Sequence, residues 1–290
     1  MLGLLFPGQS AQGAEALRRL LPYPEAAPVF AALEQVVGLP LDGILNAGDR
    51  LFENALAQPL VCALELAAAA VLDPEAEVCA GYSIGELAAY GFAGSLTVPE
   101  VLRLARVRAE AMDAASDLPQ RMVAVRGVVP VLPDGVHVAI RNGADRVVLA
   151  GEASAADAAC ERLAAMGASV TPLQVRVASH TPLMAPAMPV FRRALEAADF
   201  RAPARRVLAG IDGAPVLSRD RAIDTLSRQL CQTVEWEACM IGLEESGCTA
   251  AVELPPGSNL SRMLRDRGMT ARALDEFQTL EGADGWIGRH

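Results

Sequence analysis

Between residues 77 and 90 the chain passes from an apolar run into a helix start through Gly81-Tyr82-Ser83-Ile84-Gly85-Glu86. Glu77-Val78-Cys79-Ala80 reads as a short buried strand, and Leu87-Ala88-Ala89-Tyr90 as the opening of a helix. Glycines flanking a serine at such a junction fit a very tight turn, because only a residue without a Cβ leaves room for it. The turn lifts the serine hydroxyl above the sheet edge, beside the free N–H groups of the helix N-terminus. Ser83 is therefore a candidate nucleophile. A Gly-Ser turn without chemistry has the same letters, so the rest of the chain must decide.

Apolar runs at 2–6, 77–80 and 249–254 read as parallel strands, and helical periodicity covers 13–20, 25–37, 56–72 and 98–115. That alternation predicts an α/β sheet with helices on both faces. The stretch from Gln120 to Gln174 differs. Met122–Val128, Val136–Ile140 and Val147–Ala150 read as strands, with Asn142-Gly143 opening a turn between the last two. A helix over Ser154–Met166, with Ala156, Ala159, Cys160, Leu163 and Met166 along one side, leads to a strand near Val170–Val175. A compact β-β-β-α-β unit inside an α/β chain suggests an inserted subdomain.

Composition narrows the chemistry. With 52% hydrophobic and 21% charged residues, the 290-residue chain can bury a large core. Its net charge of −10 argues against a nucleic-acid or anionic-membrane partner. Every basic side chain is arginine, and the absence of lysine excludes an internal Schiff base and a P-loop lysine. The six cysteines show no C-x-x-C spacing, which favours free thiols in a reducing compartment over disulfides or zinc. Ala63–Leu72 is apolar but short for a membrane span and carries Glu65. Met1–Phe6 lacks the basic start of a signal peptide and reads as the first strand of a cytoplasmic protein.

A serine nucleophile needs a base, and the chain has three histidines, His137, His180 and His290. His290 is the terminal residue, and His137 sits on an alternating strand of the insert, where a solvated or packed imidazole is the ordinary outcome. His180 follows the insert, beside a proline-containing turn suited to a cleft, and is the favoured base. Arg108 stands out independently. Val101, Leu104, Ala105, Ala111, Met112 and Ala115 share one helical face, and Arg108 projects from its centre while Arg103, Arg106, Glu110 and Asp113 point away. A core-facing guanidinium must be paired, with a protein carboxylate or with an anionic substrate.

The pattern resembles the malonyl-CoA:acyl carrier protein transacylases. Phe6-Pro7-Gly8-Gln9-Ser10-Ala11-Gln12 is similar to their F-P-G-Q-G-S-Q, and Gly81–Glu86 to their G-H-S-L-G-E. The run Val107–Met112 falls where they carry a malonyl-binding arginine, and Pro182-Leu183-Met184 follows His180 as similar residues follow their catalytic histidine. Arg228-Gln229-Leu230 with Val234-Glu235-Trp236 resembles R-Q-L…V-x-W, and Glu253–Gly257 resembles E-V-G-P-G. The matches run in order from residue 6 to about residue 264.

The resemblance implies an α/β fold: an α/β-hydrolase-like large domain with a parallel sheet over 1–118 and 176–290, plus an inserted small ferredoxin-like subdomain over 119–175. It implies Ser83 as nucleophile, His180 as general base oriented by the backbone carbonyl of Gln229, and an oxyanion hole from the N–H groups of Gln9 and Ile84. Arg108 would pair with the malonyl carboxylate. No metal or bound cofactor is implied. Malonyl would pass from malonyl-CoA to the phosphopantetheine-type arm of an acyl carrier protein. Gly-Tyr-Ser-Ile-Gly-Glu-Leu-Ala-Ala, the run Arg108–Asp113 and the short C-terminus resemble the malonate decarboxylase epsilon subunit, whose acceptor is the decarboxylase carrier subunit. Departures from the family pattern are Ser10-Ala11, Tyr82 and Pro255. Val177-Ala178-Ser179-His180 fits neither form of the polyketide acyltransferase tetrad, so a methyl-branched substrate stays open. The competing expectations are a fatty-acid or polyketide malonyl transacylase, a serine thioesterase or esterase, and a silent carrier-binding subunit.

Overall fold

The computed structural model describes residues 1–9, 12–127 and 132–290. Ser10 and Ala11 of the first motif, and Val128 at the end of an expected strand, lie outside the described residues. The strands among the described residues are β1 (Leu2–Phe6), β2 (Val78–Gly81), β3 (Gln120–Arg126), β4 (Val136–Gly143), β5 (Arg146–Glu152), β6 (Ser169–Pro172), β7 (Arg206–Leu208), β8 (Pro215–Val216), β9 (Val234–Glu235), β10 (Ala250–Glu253) and β11 (Thr270–Ala273).

They form two sheets. The first has the order β11-β10-β1-β2-β7-β8, parallel except for the β7–β8 pair. β1, β2 and β10 are buried along their whole length, as continuous apolar runs covered on both faces must be. Phe6 lies opposite Gly81 and Leu5 opposite Glu253, so the chain leaves all three strands at one edge. Pro7–Gln9, Tyr82-Ser83 and Leu254–Gly257 are thereby gathered at the carboxyl ends of adjacent parallel strands, the usual place for a site in such sheets.

The second sheet has the order β6-β3-β5-β4-β9. Its β3–β6 strands pair antiparallel, and β9 adds in parallel beside β4 from much later in the chain. One face packs Val123, Val125, Val147 and Leu149 against Ala159 and Leu163 of the helix Ala153–Ala165. The other face turns Met122, Ile140, Val148 and Ala150 toward Trp236, Leu5, Ala80 and Leu208, so alternation along the strands ties the two sheets together.

Three details differ from expectation. Asn142-Gly143 belongs to β4, where a register shift absorbs it as a bulge, and the turn falls at Ala144-Asp145. β6 ends at Pro172, which has no N–H for the ladder, instead of running to Val175. Met166 is exposed beyond the end of its helix.

The helix Asn54–Leu72 is 19 residues long and apolar enough to cross a membrane, yet most of it is buried in the protein core. It packs against the helices Val98–Ala114 and Gly85–Phe92. Glu65 sits on it fully buried, with no partner for either carboxyl oxygen among the described residues.

Candidate active site

The glycines of the Gly81–Glu86 turn are there for steric reasons. A Cβ at Gly81 would lie 2.1 Å from the Glu86 Cα, and one at Gly85 would lie 2.2 Å from the Phe6 carbonyl oxygen. Neither distance admits an atom. Between them Ser83 adopts φ 57°, a left-handed conformation that costs a side-chain-bearing residue energy and points its hydroxyl out of the turn. The Tyr82 N–H donates to Phe6 O at 2.8 Å, holding the turn on the end of β1.

His180 meets this hydroxyl. Its Nε2 is 2.8 Å from Ser83 Oγ, and its Nδ1 is 2.6 Å from the Gln229 carbonyl oxygen. A carbonyl only accepts, so Nδ1 carries the hydrogen and Nε2 is free to accept the serine proton. The His180 backbone, also left-handed at φ 63°, donates its N–H to Leu230 O at 2.8 Å. Both carbonyls belong to the end of the helix Arg219–Gln229, where C-terminal carbonyls lack helical partners. Burial, and then the positive charge of Arg108, lower the His180 pKa to about 3 against a smaller opposing effect of the Gln229 carbonyl. The imidazole is a neutral base at physiological pH.

Arg108 is 2% exposed on the buried face of its helix. Its Nη1 donates to Gln58 Oε1 at 2.8 Å, and its Nη2 to Gln229 Oε1 at 3.2 Å and to Ser83 Oγ at 3.4 Å. It forms no ion pair among the described residues. Of the two partners left open by its helical position, the protein carboxylate is thus missing. Burial lowers its pKa to about 10, a shift opposed in part by Glu86, and it remains a cation at neutral pH.

Gln9 and Ile84 border the nucleophile. A Cβ on Gly8 would lie 3.5 Å from Ser83 Cβ, which places the Gly8-Gln9 backbone directly against the turn. Ile84 is the residue before the helix Gly85–Phe92. The backbone N–H groups of both residues take no hydrogen-bond partner among the described residues. The Gln9 side chain donates to Asn54 Oδ1 at 3.1 Å, and Asn54 donates in turn to Asp113 at 2.7 Å. A cavity of about 620 Å³ opens beside Gln9 and Tyr82 and is edged by Arg126, Arg146 and Arg262. Tyr82 forms one wall, edge-on to Trp236 at 5.3 Å.

All six residues singled out in the sequence, Ser83, His180, Arg108, Gln9, Ile84 and Gln229, thus lie at this one edge. Sequence reasoning missed Gln58, Glu86 and the side chain of Gln229. Gln58 was visible as an amide early in an otherwise apolar helical run, and Glu86 as a charge on the buried side of a first helical turn. Among the described residues, no group of three or more His, Cys, Asp or Glu stands close enough to hold a metal.

Residues 4–280 match the acyl transferase domain family. The chain belongs to that family. It is 36% identical over 303 residues to the malonyl CoA-acyl carrier protein transacylase of Mycobacterium tuberculosis strain H37Rv, covering 97% of this chain and 100% of the relative. A crystal structure of MCAT from Mycobacterium tuberculosis superposes with a TM-score of 0.85 at 33% identity, over 97% of this chain and 98% of that one. The malonyl-transacylase PlMCAT, solved with the type II polyketide acyl-carrier protein AntF, superposes with a TM-score of 0.89 at 26% identity, over 98% and 99% of the two chains. This family member is an α/β acyltransferase.

Proposed function

We propose that this acyltransferase is a malonyl-CoA:acyl carrier protein transacylase of the fatty-acid-synthesis kind, acting through an O-malonyl ester of Ser83. The observation that carries the proposal is that one hydroxyl touches both a neutral imidazole, at 2.8 Å, and a buried guanidinium without an anion, at 3.4 Å. The carboxylate carbon of a malonyl ester is three bonds from Oγ, within reach of a guanidinium already against that oxygen. A hydrolase of neutral esters has no use for such a cation.

In this reading His180 Nε2 takes the Ser83 proton as Oγ attacks the malonyl thioester carbonyl. The Gln9 and Ile84 N–H groups receive the oxyanion. The tetrahedral intermediate collapses, the C–S bond breaks, and His180 returns the proton to the departing CoA sulfur. The carrier thiol then gives its proton to His180 and attacks the ester, and Oγ leaves with that proton. Residues 119–175 act as a lobe walling the cleft, and the arginine-edged cavity receives the thioester arm.

The relatives support the transacylase reading over the malonate decarboxylase one, which rests on the Gly-Tyr-Ser turn and the run Arg108–Asp113. Intact-mass analysis with malonyl-CoA is the test. The protein gains one malonyl group, Ser83→Ala does not, and a phosphopantetheine-bearing carrier discharges it. Label that persists in Ser83→Ala moves the nucleophile elsewhere. Release of free malonate with no malonyl-carrier makes the protein a hydrolase, and discharge only to a dephospho-CoA-derived arm restores the decarboxylase reading.

A further inference from the structure

Behind the nucleophile lies a carboxyl group that the proposed mechanism does not use. Glu86 is 0% exposed in the first turn of the helix Gly85–Phe92. Its Oε2 accepts from Gln229 Nε2 at 2.6 Å and from the Gly210 N–H at 3.0 Å. The seat is tight, since a Cβ on Gly210 would come within 2.7 Å of that oxygen and 3.3 Å of Gln229 Nε2.

The consequence falls on the Gln229 amide. Its Nε2 also donates to the Ser83 carbonyl at 3.1 Å, and its Oε1 accepts from Arg108 Nη2 at 3.2 Å. Glu86 and the Ser83 carbonyl are both acceptors, so together they fix which way the amide faces. Turned over, the amide would present N–H groups to a guanidinium that can only donate. The correct face gives Arg108 one of its two glutamine anchors, and the backbone of the same residue holds the His180 ring.

We propose that Glu86 is a positioning residue: by fixing the Gln229 amide it sets the Arg108 guanidinium, and so sets the preference for acyl groups ending in a carboxylate over neutral ones. This rests on the malonyl-transfer reading above.

The test compares formation of the acyl-serine from malonyl-CoA and acetyl-CoA in the full-length protein, with thermal melts alongside. Glu86→Ala removes the acceptor. Gly210→Ala displaces it without touching Arg108, Ser83 or His180, and serves if the first variant folds poorly. Each should lower the malonyl-to-acetyl ratio of kcat/KM by about 10- to 100-fold, mainly through a higher KM for malonyl-CoA, as loss of a buried hydrogen bond to a charged network does. Glu86→Gln keeps an acceptor oxygen and should hold the ratio within about threefold of the parent. Equal losses for both thioesters, or a Glu86→Gln ratio as low as that of Glu86→Ala, overturn the inference. A parent protein that takes no malonyl from malonyl-CoA is a separate failure, that of the transfer reading itself.

Discussion

The two halves of the site are held by different forces. The Ser83 half is steric: two glycines, each facing backbone atoms at little more than 2 Å from where a Cβ would sit, compress a turn of six residues against the end of β1. The His180 half is polar. Its hydrogen bonds join residues 49, 121 and 143 positions apart, and nearly every member of the network is buried. A steric lock tolerates no added volume but needs no particular partner. A polar network tolerates small shape changes and fails when one donor or acceptor is lost.

Adding volume to the steric half should have the largest effect. Gly85→Ala drives a methyl into the Phe6 carbonyl oxygen, a backbone atom, and should cost about 3 kcal/mol or more in denaturant unfolding. A loss under about 0.5 kcal/mol would show that half to be no lock at all.

Arg108→Ala strikes the polar half. Malonyl transfer should fall about 100-fold or more while acetyl transfer falls much less, read as kcat/KM for each thioester. Equal losses would make the arginine a purely structural member of the network.

A subtler distinction lies in the pH profile. An imidazole at its ordinary value of 6.5 would lose about tenfold in free base by one pH unit below it. With His180 lowered to about 3, acylation by acetyl-CoA should show no such limb down to pH 5. The same shift has a stability counterpart. Below 6.5 the unfolded chain takes the proton more readily than the folded one, so His180 subtracts stability as pH falls toward 3.

The smallest effect expected contrasts two carboxyls. Glu86 has two donors, whereas Glu65, buried on the Gln58 helix, has none among the described residues. Burial, followed by repulsion from Glu253, raises the Glu65 pKa. Its penalty is present above the unfolded value near 4.5 and vanishes below it. Glu65→Leu should therefore stabilise the protein by about 1–2 kcal/mol at neutral pH, with the gain shrinking in acid. Destabilisation at both pH values would mean that Glu65 has a partner after all.

Legibility in the sequence follows the same division. Ser83 could be read because everything that shapes its turn is local, and β1, β2 and β10 because strands buried on both faces are unbroken apolar runs. The burial of Arg108 followed from helical periodicity, yet its partners did not, since Gln58 and Gln229 come from helices 50 positions before it and 121 after. The resemblance supplied the Gln229 backbone carbonyl but nothing about that residue's side chain. The Asn142-Gly143 turn was misplaced because the register of a hairpin is settled by its partner strand, here through a bulge opposite β5.

β9 is only two residues long. Its two residues hydrogen-bond beside β4 in the second sheet, while the Glu235 N–H also donates to Gly210 O at 2.8 Å and the carboxylate reaches Arg141 at 3.3 Å. The smaller sheet is therefore riveted to the body at a point far along the chain from its own two entry strands. Swinging it outward like a door would break the β4–β9 pairing, the Glu235–Gly210 hydrogen bond and the Arg141–Glu235 ion pair together.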